Sequence, residues 1–316
     1  MKNFALLGAA GFVAERHLRA IKETNNSLVV ACDMFDVMGR MDSYFPEAEF
    51  FADFELFTAF VEKQNMSSSA KIDYCTVCTP NYLHFPHIKF ALEHGMNVIC
   101  EKPMVIYPSE VDVVEELQKH TGLSVNTILQ LRLHPVIAAL KQKYDNQSAD
   151  QLFDVDLTYI TSRGKWYYKS WKGDVSKSGG VTANIGIHFF DMLIWIFGEV
   201  KQSVVHVYER HKASGLLTLE KARVRWFLSL DYDDLPETVK AKGARTYRHI
   251  TIENEEIEFS EGFTNLHTET YNRILNNGGF GIDDVRPSIL LTDCIRNSEP
   301  IGLSGDYHPM LKTISL

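Results

Sequence analysis

Apolar residues in the first part of the chain come in short runs separated by longer amphipathic stretches. Phe4 to Leu7 is one such run, an amphipathic segment follows to Lys22, and Leu28-Val29-Val30-Ala31-Cys32-Asp33 is a second run that ends in an acid. Short apolar runs bounded by turn residues read as buried strands, and longer segments with one apolar face read as helices. The alternation continues with a helix from Asp53 to Gln64, a loop over 67–70, a strand from Ile72 to Cys78, a turn at Thr79-Pro80-Asn81 and a helix from Tyr82 to His94. Gly95 stops that helix before the strand Asn97 to Lys102; Pro108-Ser109-Glu110 opens a helix to His120, Gly122 ends it, and Ser124 to Leu131 is a further strand. Strands alternating with helices predict an α/β unit with a doubly wound parallel sheet.

The texture changes after about Arg132. Leu152 to Ile160, Ser203 to Tyr208, Ala222 to Leu230, Tyr247 to Ile252 and Glu256 to Phe259 are strand candidates, and long helices are few: Ala183 to Phe197, Asn265 to Asn276 and Val285 to Asn297. Runs of strands with few helices between them predict an α+β domain with a mostly antiparallel open sheet. The expected division is therefore 1–131 and 132–316. No internal repeat or low-complexity tract interrupts it.

Composition narrows this little. With 316 residues, 45% hydrophobic and 23% charged, the chain is an ordinary globular one, long enough for two cores. A formal net charge of -9 argues against general nucleic-acid binding. No apolar run approaches 18 residues and Met1-Lys2-Asn3-Phe4 leads directly into a strand, so neither a membrane span nor a signal peptide is expected and the cytoplasm is the expected compartment. Five cysteines, four of them in strand-like runs, read as reduced and buried. Cys75 and Cys78 match a C-x-x-C pattern, but residues three apart on a strand face opposite ways, so no metal is expected there.

Four segments carry chemistry. Gly8 to Ala14, followed by a helix, a strand and Asp33, has the shape of a dinucleotide site: small residues let the backbone approach a pyrophosphate at a helix N-terminus, and the acid suits ribose hydroxyls. The G-x-G-x-x-G shape is met only with alanines at Ala9 and Ala14. Asp33 disfavours a 2′-phosphate, so NAD is expected rather than NADP. Second, the strand ending in Glu101-Lys102-Pro103 must leave the sheet at Pro103, which places Lys102 either at the mouth of a cleft or simply in solvent. Third, Ser162 to Lys177 holds five cations against one acid, interleaved with Trp166, Tyr167, Tyr168 and Trp171; it reads as an anion-binding, ring-stacking segment or as a solvated basic loop. Fourth, Gly179-Gly180 leads into Thr182, Asn184, His188 and Asp191. Thr182 could cap the helix, and the last three share one helical face, where Asp191 could orient the His188 ring; a satisfied core histidine is the alternative. His84 and His87, with Pro86 between them and no third ligand nearby, read as helix-start residues lining a cofactor cleft or exposed, not as a metal site.

On Gly8 to Ala14, Glu101-Lys102-Pro103 and Gly179-Gly180 through His188, the chain resembles the Gfo/Idh/MocA family of NAD(P)-dependent sugar dehydrogenases. Thr79-Pro80-Asn81 with His84, and the segment Gly281 to Pro287, fit the same pattern. Thr161 to Tyr167, Ser170 to Asp174 and Gly262 to His267 resemble the branch of that family acting on UDP-2-acetamido-2-deoxy-glucuronate in lipopolysaccharide O-antigen synthesis. The resemblance implies oxidation at C3 by NAD, a homotetramer, and a tightly held cofactor reoxidised by 2-oxoglutarate. It implies cofactor contacts from Gly8, Ala10, Gly11, Phe12, Val13, Asp33, Thr79, Pro80, Asn81, His84, Glu101, Lys102 and Gln130. Substrate contacts would come from Lys102, Arg163, Lys165, Trp166, Tyr168, Trp171, Lys172, Thr182, Asn184 and His188, with Lys102 or His188 as the base. Many members carry an aspartate where this chain has Asn184. Loss of that charge favours a neutral Lys102, while a substrate carboxylate nearby would act in the opposite sense. A family dehydrogenase for another sugar, or a non-catalytic nucleotide-sugar sensor, are the alternatives.

Overall fold

The computed structural model describes residues 1–66, 71–148, 151–257, 259 and 265–313. The loop expected over 67–70, residue 258 of the strand expected from Glu256 to Phe259, and residues 262–264 of the segment 262–267 lie outside them. The chain forms two compact units, Met1–Gln130 with Thr264–Arg286, and Leu131–Phe263 with Pro287–Leu316.

The first unit runs β1 (Asn3–Leu7), α1 (Ala14–Glu23), β2 (Ser27–Cys32), α2 (Met38–Tyr44), β3 (Glu49–Phe51), α3 (Phe54–Asn65), β4 (Tyr74–Val77), α4 (Asn81–Glu93), β5 (Asn97–Cys100), α5 (Pro108–Thr121) and β6 (Val125–Thr127). Its six strands are all parallel, in the order β3-β2-β1-β4-β5-β6. This is the doubly wound arrangement, and the order reverses between β1 and β4, where such sheets open a crevice at the carboxyl ends of their strands. Local signals set the helix ends. Asp53 accepts from the Glu55 and Leu56 amides ahead of α3, Glu110 reaches back to the Tyr107 amide at 3.1 Å, and Gly122 ends α5 at φ +70°. Phe4, Leu6, Ile21 and Ile99 are fully buried, as expected of strands and helices sandwiched in a parallel sheet.

The second unit runs α6 (Pro135–Asp145), β7 (Phe153–Thr161), α7 (Lys165–Lys169), α8 (Val175–Ser178), a π-helical turn (Thr182–Gly186) that leads into α9 (Ile187–Phe197), β8 (Val200–Tyr208), β9 (Lys212–Leu219), β10 (Ala222–Ser229), α10 (Glu237–Lys240), β11 (Thr246–Ile252) and β12 (Glu255–Glu256). Then α11 (Leu266–Leu275) belongs to the first unit, and α12 (Ile282–Asn297) runs through the division after Arg286. The second sheet has the order β12-β11-β7-β10-β9-β8, antiparallel except for β7 with β10. One face buries Val155, Leu157, Val224, Trp226 and Leu228 with Phe190, Leu193 and Phe197 of α9; the Trp226 and Phe190 rings meet edge to face at 5.2 Å. The stretch Val175–Phe197 is long and apolar enough to cross a membrane, but it is mostly buried in this core.

The structure departs from the expectations in several places. The strand expected to reach Leu131 ends at Thr127 and passes into a 3-10 turn at Gln130–Leu133. Seven elements, α2, β3, α6, α7, α8, β9 and α10, lie outside the expected set. β3 spans three residues, and α6 begins Pro135-Val136-Ile137, whose apolar run continues the preceding strand pattern. β9 carries Lys212, Ser214 and Gly215 and lacks clean alternation; Lys212 is nonetheless buried and paired with Asp234 at 3.2 Å. Thr182 does not cap a helix: it lies inside the π turn, fully buried. The single division at 131/132 also does not describe the chain, because α11 packs Tyr271 against Phe4, ring centroids 5.8 Å apart, in the first unit.

Candidate active site

In the first unit the site begins where β1 ends. Gly8 has φ +92°, and a Cβ there would lie 2.7 Å from the Cys78 carbonyl carbon and the Thr79 nitrogen, so only glycine lets β1 and β4 close together at this point. The Gly11 amide donates to the Gly8 carbonyl at 2.9 Å, and α1 begins at Ala14 behind an N-cap, Val13, that offers no side-chain hydrogen bond, so the helix start faces the loop without a capping side chain. Phe12 is exposed, with the Arg16 guanidinium over its ring. Asp33 follows β2 and straps the loop: one carboxylate oxygen accepts from the Ala10 amide at 2.8 Å, the other from the Phe35 amide at 3.0 Å. Arg40 donates to the Ala9 and Gly11 carbonyls at 2.7 and 3.1 Å and so fixes the loop from its outer side. No local motif marks that role, because an arginine on a surface helix looks like any other.

Across the switch point, Thr79, Pro80 and Asn81 form the entry to α4, with Pro80 at its cap and Asn81 buried. His84 is fully buried, which excludes an exposed position. Its ring nitrogens face the Pro103 and Thr79 carbonyls at 2.6 and 2.8 Å, tying the end of β4 to the loop after β5. Burial lowers its pKa despite those two acceptors, which favour the charged ring. His87 sits against the Thr79 hydroxyl at 3.0 Å, and burial lowers its pKa to about 4. Lys102 is half-buried just past β5, and the Lys102–Pro103 peptide bond is cis. Its neighbour Glu101 is buried with its carboxylate engaged by His17 and His267, each at 3.1 Å, so cofactor contact from Glu101 would fall to its backbone. Gln130 is half-buried at the start of the 3-10 turn. Cys75 and Cys78 are buried thiols, and burial raises the pKa of Cys75 to about 12, leaving it protonated and a poor metal ligand. Among the described residues, His17, Glu101 and His267 alone form a buried group with metal-ligand chemistry.

In the second unit, the expected basic-aromatic segment folds as α7, a 3-10 turn at Trp171–Gly173 and α8. Ser170 and Asp174 cap the two latter pieces through the Lys172 and Ser176 amides. Lys172 lies between two tryptophans, 5.4 Å from the Trp166 ring centroid and 5.5 Å from that of Trp171. Burial, with a smaller contribution from Arg163, lowers its pKa. Arg163 and Lys165 are exposed, as is half of Trp166. Arg210, which the sequence did not single out, stacks on Tyr168 at 5.0 Å and donates to the Tyr168 and Gly173 carbonyls, holding the segment's fold.

Asn184 and His188 are half-buried, whereas every other residue from Ser178 to Leu193 is buried. They are thus the two openings along an otherwise closed helical stretch. The Asn184 amide donates to the Tyr167 hydroxyl at 2.6 Å, fixing its orientation. Asp191 neutralises a buried cation: both of its oxygens accept from the Arg132 guanidinium, at 3.0 and 2.7 Å. The π turn that carries Asn184 is widened by one residue per bond, a geometry frequent at functional sites. Gly186 permits it to sit on the sheet, since a Cβ there would lie 2.6 Å from Leu228 Cδ1.

Comparison with known proteins places these units. Residues 2–127 match the family model described as oxidoreductase family, NAD-binding Rossmann fold, and residues 151–252 match its companion, the C-terminal alpha/beta domain. The WlbA (WbpB) dehydrogenase of Thermus thermophilus, solved with NAD and UDP-GlcNAcA, is 46% identical over 98% of this chain and 99% of that chain, with a TM-score of 0.93. The same enzyme solved with NAD and alpha-ketoglutarate gives 46% identity, the same coverage and a TM-score of 0.94. The D-glucoside 3-dehydrogenase of Escherichia coli (strain K12) is 23% identical over 209 residues, 65% of this chain and 57% of that protein. The match spans about half the length of that and the other curated relatives.

Proposed function

Because the chain belongs to the Gfo/Idh/MocA oxidoreductase family, we propose that it oxidises the C3 hydroxyl of UDP-2-acetamido-2-deoxy-glucuronate to the 3-keto sugar. The observation that carries this is the 46% identity, over nearly the whole of both chains, with a dehydrogenase that holds NAD and UDP-GlcNAcA. The residues fit the cofactor: Gly8 to Val13 form a tight loop ahead of a helix start that lacks a capping side chain, and Asp33 stands after β2 to meet ribose hydroxyls. NAD supplies the hydride acceptor.

The chain's own residues do the rest. Oxidation releases the proton of the 3-hydroxyl, and a general base must take it. Lys102 and His188 are the two candidates, one in each unit. Asn184 brings no negative charge to the site, and its amide can orient a sugar hydroxyl. Lys172, boxed by Trp166 and Trp171, with Arg163 and Lys165 beside it in sequence, suits the pyrophosphate and the uronate carboxylate, and the tryptophan faces suit the uracil or sugar rings. Thr182 is too deeply buried to meet substrate directly and serves the turn that carries Asn184. Reoxidation by 2-oxoglutarate, a cytoplasmic homotetramer and a place in lipopolysaccharide O-antigen synthesis complete the proposal. The alpha-ketoglutarate bound in the Thermus thermophilus enzyme supports the first of these.

The test incubates purified protein with NAD and 2-oxoglutarate plus UDP-2-acetamido-2-deoxyglucuronate, UDP-GlcNAc or inositol. A 3-keto product, read by mass spectrometry, is expected from the uronate alone. Product from inositol or UDP-GlcNAc at equal rates would assign a different substrate, and product from none would remove the proposed reaction. Lys102→Ala is expected to lower turnover at least about 10²-fold with NAD binding intact. A fully active variant would remove Lys102 from the chemistry.

A further inference from the structure

The first unit contains a buried line of polar side chains that the proposed chemistry leaves without a task. The Thr76 hydroxyl on β4 lies 2.8 Å from the Tyr271 hydroxyl on α11, and that hydroxyl lies 2.8 Å from His17 Nδ1 on α1. His17 Nε2 and His267 Nε2, the latter on α11, both lie 3.1 Å from Glu101 Oε1, and the Lys102 amide donates to Glu101 Oε2 at 3.2 Å. All five side chains are at least nine-tenths buried.

Proton positions follow from chemistry. Burial alone would raise the Glu101 pKa, but the hydrogen bonds from His17 and His267 outweigh it and hold the carboxyl well below its usual range. An ionised carboxylate only accepts, so both Nε2 atoms carry hydrogen. Burial lowers the His17 pKa, so that ring is neutral and its Nδ1 must accept. Its donor is Tyr271, whose hydroxyl burial keeps protonated. The line is therefore directional, running Thr76, Tyr271, His17 and on to Glu101, with His267 and the Lys102 amide donating to the same carboxylate.

We propose that His17, His267 and Tyr271 are positioning residues that act through Glu101 to fix the Lys102 backbone, and with it the Lys102 amine. This rests on the reading of Lys102 as a reacting group. The Glu101 carboxylate holds the first amide beyond β5, and the two imidazoles hold the carboxylate. Because His17 lies on α1, behind the loop that meets the cofactor, the same line sets the cofactor helix and the lysine in one register. It also accounts for why α11, distant in sequence, returns to this unit: it delivers His267 and Tyr271.

The test uses the full-length protein with NAD and UDP-2-acetamido-2-deoxyglucuronate. His267→Leu is expected to lower kcat at least about tenfold, since a small misplacement of a reacting group has that effect, with KM for both substrates within about threefold by the same argument. His267→Gln, whose amide can still donate to Glu101, is expected to recover most of the loss. A purely structural role would lower the melting temperature of both variants and leave kcat per bound NAD unchanged, which would overturn the proposal. Should His267→Leu not fold, Tyr271→Phe removes one hydroxyl at constant shape and is expected to lower kcat; wild-type kcat in it would count against the line. Imidazole ¹⁵N spectra of the unmodified protein are expected to show hydrogen on Nε2 of His17 and His267. A stoichiometric metal ion lost on His267→Leu would overturn the assignment, because the three groups would then be ligands instead. If Lys102→Ala retains full activity, the site reading fails; if that variant is inactive while His267→Leu keeps wild-type kcat, only the positioning proposal fails.

Discussion

At the scale of single residues, the site depends on glycine where the backbone demands it and on cations where the substrate does. Gly8→Ala would place a methyl group 2.7 Å from the Cys78 and Thr79 backbone at a φ of +92°. It is expected to cost at least about 1–3 kcal/mol of stability and to weaken NAD binding, read by thermal melts and by fluorescence titration. An unchanged melting temperature would show that β1 and β4 do not need this approach. On the proposed function Lys172, held between Trp166 and Trp171, is expected to act on binding, meeting the substrate's anionic groups equally in ground and transition states. Lys172→Ala should therefore raise KM for the UDP-sugar about tenfold with little change in kcat. A loss confined to kcat would place the amine at the reacting centre instead. Both residues stood out in the sequence, Gly8 through its fingerprint and Lys172 through charge and aromatic density. Arg40, Arg210 and His17 did not, because each works through a hydrogen bond to a chain segment far from it in sequence.

At the scale of elements, the second unit stands on how α9 is fixed. The Arg132 guanidinium and the Asp191 carboxylate are both almost fully buried, and together they tie the 3-10 turn at Gln130–Leu133 to α9. Asp191→Ala removes the two-oxygen partner of a buried guanidinium, so it is expected to cost about 3–5 kcal/mol, measured by urea unfolding. A loss under about 1 kcal/mol, the worth of an exposed pair, would mean the guanidinium finds other partners. Helical spacing put Asn184, His188 and Asp191 on one stretch, but it could not reveal the Arg132 partner of Asp191, which is 59 residues away. The π turn was equally invisible, as was the close seat of Gly186 on Leu228, a contact between helix and sheet.

At the scale of the molecule, buried histidines set the response to acid. Burial lowers the pKa values of His17 and His84, and takes those of His87 and His308 to about 4. For each, the folded value lies below the unfolded value of about 6.5. Between about pH 6.5 and 4 the unfolded chain binds more protons, so stability rises with pH across that window and is lost as pH falls through it. The slope reaches at most about 1.4 kcal/mol per pH unit for each such histidine. Glu101 acts in the same direction at lower pH, since its depressed value gives stability above the unfolded carboxyl pKa that is lost as pH falls through the folded one. Urea unfolding at pH 7.0 and pH 5.0 is expected to give clearly lower stability at the acid value, and equal values would contradict the neutral, buried state of these rings.

Much was legible in the amino-acid sequence itself. The alternation of short apolar runs with helical segments specified the parallel sheet, and local chemistry at Gly8, Asp33, Gly122 and Pro108 specified turns, caps and the cofactor loop, because those signals act over a few residues. Tertiary structure decided what distant residues do to one another. It placed α11 in the first unit, turned His84 inward between two carbonyls, gave Asp191 to Arg132, and joined His17, Glu101 and His267 in one buried group. The physical reason is common to all of these. A buried polar or charged side chain must find its partner wherever the packed chain supplies one, and no periodicity along the sequence records that choice.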